Sequence, residues 1–267
     1  MPPVRGEIWP LPEGGTAGEL LAVARQVGAD FCFFDRQPGA VVKTHSLGLA
    51  AGAVVNGPWQ RWMSEQGWEQ AMLQLAKETD AVSQGLRRAA VQADQEIAGW
   101  ADIGVDLILL ADDIAYSAGP YLSPQQLERF LLPLYLDLRQ KISAAGIFAG
   151  FHSDGRLDLL LPLLKQAGFQ FLSLEPEGID PIRTWNLLET KIPLFSGLPA
   201  AWLMPGGFLP EREGLVLREW MTSGPLIVSS ACGLYHAGAK VSLQGIYEWL
   251  DKEEQSKAGG NIFGSIS

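Results

Sequence analysis

Two segments of the sequence place ionisable side chains directly after apolar runs. Asp112 and Asp113 end one run, and His152 and Asp154 end another. Carboxylates and imidazoles are the groups that most often exchange protons with a substrate. The chain has only 3 histidines, so a histidine at the end of an apolar run is notable. These four residues are the predicted catalytic groups.

Cys232 follows a third apolar run near the C-terminus. A lone buried cysteine is often only a small apolar side chain. Together with His152, Asp154 or His236, however, it would complete a three-ligand zinc site with one open position. The predicted metal ligands are His152, Asp154 and Cys232, and the alternative that Asp154-Gly155 is simple turn chemistry remains open.

The adjacent carboxylates Asp112 and Asp113 are predicted to have different roles. Successive residues of a strand point to opposite faces, so only one of the two can point along the axis of a barrel. We favour Asp113 for that position. Its neighbour is then expected to support a loop or the start of a helix.

Other polar residues also follow apolar runs, and about half of such positions are expected to be turn residues. We predict substrate contacts from the remainder. The candidates are Glu7, Asp35, Asn56, Tyr116, Glu175 and Ser196.

Short β-rich runs alternate with amphipathic stretches along the whole chain, a pattern typical of parallel βα units. Eight runs predict a single-domain (β/α)8 TIM barrel over residues 1–252, with a flexible tail over 253–267. In such a barrel the site lies at the C-terminal ends of the strands, where the polar residues above are found. The predicted strands are 6–9, 30–35, 53–56, 106–111, 147–152, 169–174, 192–196 and 226–230.

Helix signals support the same division of the chain. Ser123-Pro124 offers an N-cap followed by a proline at the first helical position. Gly104, Gly146 and Gly168 each close a helix just before a predicted strand. The segment 35–56 is rich in Gly and Ala and is the weakest helix, so the second unit is expected to be irregular.

Composition limits the class of protein. The 267 residues include 47% hydrophobic side chains, enough for a sizeable core, and carry a formal net charge of −10. That charge would repel nucleic acid and anionic membranes. Two cysteines and the absence of a membrane-length apolar stretch favour a soluble, cytoplasmic protein.

Taken together, these segments resemble the uroporphyrinogen decarboxylase superfamily, which also contains corrinoid-dependent methyltransferases. The resemblance extends over about residues 20 to 250 and implies a (β/α)8 barrel. The segments that carry it are Asn56-Gly57-Pro58-Trp59, Asp112-Asp113-Ile114-Ala115, Leu122-Ser123-Pro124-Gln125-Gln126-Leu127-Glu128-Arg129-Phe130-Leu131-Leu132-Pro133, His152-Ser153-Asp154-Gly155 and Ala231-Cys232-Gly233.

Two departures from the superfamily bear on function. Its decarboxylases have an arginine-rich N-terminal segment for the carboxylates of the porphyrinogen, whereas Arg5, Arg25 and Arg36 are scattered here. Its zinc-dependent methyltransferases have His-x-Cys after the fifth strand and a further Cys after the eighth. His152 and Cys232 match that pattern, but Asp154 replaces the middle ligand.

The resemblance therefore implies methyl transfer between a corrinoid on a partner protein and a small acceptor, either tetrahydrofolate or a zinc-bound thiol. The acidic strand ends favour the pterin of tetrahydrofolate, whose N–H groups need acceptors. One alternative is a porphyrinogen decarboxylase using Asp35 or Asp113. Another is a non-catalytic corrinoid- or protein-binding barrel with a docking surface around Trp59, Trp62 and Trp68.

Overall fold

The computed structural model describes residues 4–7, 16–34, 39–77, 79–175, 180–189, 192–229 and 238–260, with the side chains of 4–7, 196–197, 254 and 256–260 left out. The strands are β1 (Val4–Glu7), β2 (Phe31–Phe34), β3 (Ala50–Asn56), β4 (Leu107–Ala111), β5 (Ala115–Tyr116), β6 (Gly119–Pro120), β7 (Phe148–Ser153), β8 (Phe171–Leu174), β9 (Leu194–Gly197) and β10 (Leu226–Ser229). The helices are α1 (Ala17–Val27), α2 (Gly39–Ser46), α3 (Pro58–Gln66), α4 (Trp68–Ala76), α5 (Asp80–Ile103), α6 (Pro124–Gln126), α7 (Leu132–Ala144), α8 (Leu161–Ala167), α9 (Pro181–Leu188), α10 (Glu213–Ser223) and α11 (Ala239–Gly260).

The main sheet is parallel and curls into a TIM-barrel-like fold. Hydrogen-bonded pairing proceeds through β2, β3, β4, β7, β8, β9 and β10, and β1 pairs with both β2 and β10. The remaining strands, β5 and β6, form a small antiparallel hairpin after β4. Each predicted strand overlaps one strand of the curled sheet, so the predicted alternation of parallel strands and helices is confirmed.

Phenylalanines fill the interior of the curled sheet toward the N-terminal ends of its strands. Phe31 and Phe33 of β2 meet Phe171 of β8 and Phe195 of β9, with ring centroids 5.4–6.4 Å apart. These rings form an apolar cluster separate from the main core between the strands and the helices. Within the described residues, these rings occupy the interior, and in barrels of this kind the site lies at the C-terminal ends of the strands.

The strand register aligns the polar residues at that C-terminal end. Asn56 of β3 pairs with Ala111 of β4, which pairs with His152 of β7, which pairs with Ser173 of β8. Paired residues of parallel strands point to the same face of a sheet, and this layer lies two residues beyond the apolar interior layer that contains Leu109 and Phe171. His152 and Ser173 therefore point inward at the mouth.

The predicted helix signals are confirmed. Ser123 caps α6 in a reciprocal capping box with Gln126. Gly104, Gly146 and Gly168 have positive φ at the ends of their helices. Between α6 and α7, residues Leu127–Leu131 form a π-helical turn just before Pro133, which has no N–H for an α-helical bond.

The second unit contains a helix, α2, of 8 residues, the same length as α9 and one residue longer than α8, so the expected irregularity is not seen in its described residues. One predicted boundary differs from the structure. The helix α11 continues to Gly260, so the predicted tail boundary at residue 253 falls inside a helix. The sequence there is rich in Glu, Lys, Gln and Ala, which are good helix formers, and Glu253 pairs with Arg218 of α10 at 2.6 Å. No helix in the described ranges is long and apolar enough to cross a membrane.

Candidate active site at the C-terminal ends of β4 and β7

Asp112 lies behind the barrel wall, where it closes a seam between β4, α3 and α7. Its Oδ1 accepts a hydrogen bond from the Gln60 N–H at 2.6 Å, and its Oδ2 accepts from the Trp59 N–H at 3.1 Å and the Tyr135 hydroxyl at 2.7 Å. The carboxylate, which follows β4, thereby caps the first turn of helix α3. Gly57 allows this approach, because a Cβ there would lie 2.3 Å from Asp112 Cγ.

Asp112 has no solvent contact. Burial raises the pKa of its carboxyl to about 7 from the usual 3.8; the hydrogen bonds from Gln60, Tyr135 and Trp59 oppose this shift, and the charge of Asp113 adds to it. Burial also raises the pKa of Tyr135 well above 10, and the neighbouring Asp112 adds to that shift. Asp112 is therefore a structural capping residue, which corrects its inclusion among the four predicted catalytic groups and agrees with the expectation that one member of the pair supports a helix start.

Asp113, His152 and Asp154 converge in front of the barrel wall. The His152 Nε2 lies 3.4 Å from Asp154 Oδ1 and 3.9 Å from Asp113 Oδ1. The imidazole is mostly buried, at 10% side-chain exposure, whereas the two carboxylates are 41% and 48% exposed. We call these three residues the mouth cluster. It places one imidazole between two carboxylates that solvent and ligands can reach.

Two hydrogen bonds position the mouth cluster. Ser173 Oγ lies 3.0 Å from His152 Nδ1, which directs Nε2 toward the carboxylates. Asp113 Oδ1 accepts the Asp154 N–H at 3.0 Å, and this contact joins the loop after β4 to the loop after β7. The same two loops are joined again by the Ile114 N–H, which donates to Ser153 Oγ at 3.1 Å.

The mouth cluster has the geometry of a proton-transfer site and of a metal site. One ligand atom from each residue lies within 4.8 Å of the others. When a divalent ion binds its ligand atoms at about 2.1 Å, those atoms lie about 3.0–3.4 Å from one another, so a small inward rotation of the exposed carboxylates would bring the three residues to metal-binding distances. A ligating histidine usually makes a hydrogen bond through its other ring nitrogen, as His152 does with Ser173.

The part of the chain that carries these residues matches a known protein family. Residues 44–192 match the family described as uroporphyrinogen decarboxylase (URO-D). That match includes more than half of the sequence, and it contains Asp112, Asp113, His152, Asp154 and Glu175. The chain belongs to the uroporphyrinogen decarboxylase family.

Solved structures share the fold at low sequence identity. A methyltransferase from Methanosarcina mazei superposes with a TM-score of 0.67 at 18% identity, over 81% of this chain and 64% of that one. An L-ribulose 3-epimerase gives 0.63 at 14% identity over 100% of both chains. A D-psicose 3-epimerase from Clostridium cellulolyticum H10 gives 0.59 at 12% identity over 94% and 99%. No curated protein matches the sequence.

The predicted substrate-binding residues differ in position and in exposure to solvent. Glu175 is half-buried, and its Oε2 accepts the Gly155 N–H at 3.1 Å, beside the mouth cluster. Asn56 is exposed at the end of β3. Tyr116 is 47% exposed in the β5–β6 hairpin. Glu7 and Ser196 lie in β1 and β9, but their side chains are outside the described part of the structure.

Of the predicted metal ligands, the structure describes His152 and Asp154, and the prediction for Cys232 stays untested. Asp35, Cys232 and His236 lie outside the described residues. Within the described residues, the side chain that joins His152 and Asp154 is Asp113, which the sequence suggested as a catalytic group but not as a metal ligand. The tertiary contact between the β4 and β7 loops, which sequence spacing does not encode, brings it there.

Three residues of the site were not predicted from the sequence. Ser173 lies in β8, two positions before Glu175, which follows the strand, and strand alternation could have identified Ser173 as inward-facing. Tyr135 lies within a helix, three helical turns beyond the capping box, and no local pattern marks it as the partner of Asp112. Tyr121 lies in the segment after β6, between Asp113 and the predicted helix start.

Proposed function

We propose that this protein transfers a methyl group between a corrinoid carried on a partner protein and a small acceptor, either a pterin such as tetrahydrofolate or a thiol. The observation that carries the proposal is the mouth cluster, in which His152 lies between Asp113 and Asp154 at the open end of a filled barrel. We further propose that the fold is a complete, single-domain (β/α)8 barrel.

The chemistry requires a base at the acceptor. In the proposed step the methyl–cobalt bond breaks and its electron pair stays on the cobalt, the acceptor nitrogen or sulfur forms the new bond to the methyl carbon, and the acceptor gives up its N–H or S–H proton to a base. His152 Nε2 and the carboxylate of Asp154 are positioned to accept it, because both face the mouth within 3.4 Å of each other. Ser173 holds the imidazole in place during the exchange.

A divalent metal ion such as zinc fits the same residues, with Asp113, His152 and Asp154 as its ligands. When bound, such an ion lowers the pKa of a thiol acceptor and holds it as the thiolate. The described donors are two carboxylates and one imidazole, and Cys232, which the sequence resemblance implies as a further ligand, lies outside the described residues. The exposed carboxylates of Asp113 and Asp154 can accept hydrogen bonds from the N–H groups of a pterin, which supports a pterin as the acceptor.

A turnover assay tests the proposal. The protein is incubated with methylcobalamin and either tetrahydrofolate or homocysteine, and loss of the methyl–cobalt absorbance and formation of the methylated acceptor are followed. We expect transfer by the wild type, a loss of about 100-fold or more in His152→Gln, and no change in His45→Gln. His45 is a matched control, since it is ion-paired with Asp106 at the opposite end of the barrel.

Metal analysis of the purified protein separates the two acceptors. One equivalent of zinc that is lost in Asp113→Asn, together with homocysteine turnover, would favour the thiol. Transfer to tetrahydrofolate that survives chelation would favour the pterin. Absence of transfer with either acceptor would refute the proposal.

The family match supports a second candidate, decarboxylation of a porphyrinogen. In that reaction one mouth carboxylate, Asp113, would stabilise the protonated pyrrole. Turnover of uroporphyrinogen that disappears in Asp113→Asn would establish this candidate in place of methyl transfer.

A non-catalytic binding barrel is the third candidate, and one observation weakens it. Of the three tryptophans expected to form a docking surface, Trp59 and Trp62 are each 1% exposed and pack in the core. Only Trp68, at 52%, presents a substantial surface.

A further inference from the structure

Two tyrosines form an ordered aromatic wall beside the mouth cluster. The rings of Tyr116 and Tyr121 are stacked, with centroids 5.1 Å apart and planes inclined by 10°. Trp68 meets Tyr121 edge-on at 4.7 Å, and the buried Trp59 lies behind Tyr121 at 6.4 Å. Tyr116 is 47% exposed and Trp68 is 52% exposed. We call Tyr116, Tyr121 and Trp68 the aromatic wall.

The backbone fixes the aromatic wall to the loops that carry the mouth cluster. The Arg156 N–H donates to the Tyr116 carbonyl at 3.0 Å, and the Tyr121 N–H donates to the Ile114 carbonyl at 2.9 Å. Gly155 has φ 81, and a Cβ there would lie 2.5 Å from Tyr116 N. Since Gly155 directly follows Asp154, and Ile114 directly follows Asp113, the wall and the cluster are neighbours on both loops.

The tyrosines of the aromatic wall have groups that can contact a ligand, because contacts within the described part of the protein do not use them. Within the described residues, neither phenol hydroxyl has a hydrogen-bond partner, and Tyr116, stacked on Tyr121, is 47% exposed. The charge of Asp113 contributes to a raised pKa of Tyr121, after the larger effect of burial, as expected for a carboxylate close to the ring. Stacking on such a ring is tolerant of ring identity, whereas the nearby carboxylates accept only hydrogen-bond donors or cations.

We propose that the aromatic wall binds the planar ring of a nitrogen heterocycle, with the ring stacked on Tyr116 and its N–H groups directed toward Asp113 and Asp154. Charge complementarity selects this class, because an anionic or purely apolar ring would meet uncompensated carboxylates. This inference rests on the proposed function in one respect, that the mouth binds a small molecule. It adds which of the two proposed classes of acceptor, the pterin, binds there.

Calorimetric titration with pterin, in the absence of any methyl donor, tests the wall directly. Tyr116→Leu removes the stacking face and should weaken pterin binding by about 10-fold, whereas Tyr116→Phe keeps the face and should bind within about twofold of the wild type. Phe148→Leu is the matched control: Phe148 is a 56% exposed aromatic residue at the opposite end of β7, and its replacement should leave binding unchanged.

The outcomes separate this inference from the proposed function. Equal weakening in Tyr116→Leu and Phe148→Leu, unchanged binding in Tyr116→Leu, or failure of the wild type to bind pterin would each overturn the wall as a ring-binding site. Methyl transfer to homocysteine by that same wild type would leave the proposed function standing. Pterin binding that depends on Tyr116, with no methyl transfer to any acceptor, would support the wall and refute the transferase.

Discussion

Asp112 and Asp113 are consecutive residues directly after β4, yet their side chains lie in opposite environments. Asp112 lies in the seam, and Asp113 belongs to the mouth cluster. Asp112 points outward into a dry space, where two backbone N–H groups and the Tyr135 hydroxyl surround it. Asp113 points toward the mouth, where it accepts one backbone N–H and remains 41% exposed. The comparison teaches that one carboxylate of the pair stabilises the protein and the other is available for chemistry.

Replacement of Asp112 tests the structural half of the comparison and has the largest expected effect. Asp112→Ala leaves three buried donors without an acceptor and should lower the free energy of unfolding by about 3–5 kcal/mol. Urea denaturation followed by circular dichroism measures it. Asp113→Ala is the control and should cost about 1 kcal/mol or less; equal losses in the two variants would contradict the division of roles.

Replacement of Asp113 tests the chemical half. Asp113→Asn keeps the shape and an acceptor for the Asp154 N–H, but it removes the mouth charge. We expect methyl transfer to fall by about 100-fold, while the urea midpoint stays within the error of the wild type. A variant with full activity would remove Asp113 from the site.

The stability of the seam should depend on pH in an unusual direction. Because burial raises the pKa of Asp112 to about 7, the folded chain retains a proton that the unfolded chain has lost. Stability from this group is therefore complete below about pH 4 and declines as pH rises toward 7. Relative to Asp112→Asn, the wild type should lose about 2 kcal/mol between pH 5 and pH 7. Denaturation series at several pH values measure it, and a difference independent of pH would refute a raised pKa.

The hydroxyl of Tyr135 has the smallest expected effect. Tyr135→Phe removes one of three donors to Asp112 without changing the packing of the ring against Phe151 and Phe169. We expect a loss of about 1.5 kcal/mol in the free energy of unfolding and unchanged methyl transfer at saturating substrate. A large loss of activity with full stability would instead assign Tyr135 to the mouth.

The order of strands and helices could be predicted from the sequence, because the patterns that mark each element lie within that element or at its ends. Eight apolar runs predicted the eight strands of the main sheet, and the capping box at Ser123 and the glycines at 104, 146 and 168 marked helix ends. Where local signals were weak, the boundary was harder to place: the predicted tail begins at residue 253, whereas α11 continues to Gly260, because the composition near residue 253 suits both a helix and a disordered tail.

The candidate site was predicted only in part. Strand alternation indicated that only one of Asp112 and Asp113 points inward, and Asp113 was favoured; the strand-end rule selected His152, Asp154 and Glu175 as candidates. The contacts that position them connect residues far apart in the chain: Ser173 lies 21 positions from His152, and the Asp154 N–H donates to Asp113, 41 positions away. No sequence spacing reveals such contacts.

By itself the sequence determined an alternation of parallel strands and helices, the family, and the set of polar side chains at the strand ends, because hydrophobic periodicity and capping act within one element. The tertiary structure decided which of those side chains meet. Pairing of β4 with β7 fixes the register between these neighbouring strands. That register brings Asp113, just after β4, to His152 and Asp154 at the end of β7, while the helices behind the wall supply the donors that hold Asp112 in the seam.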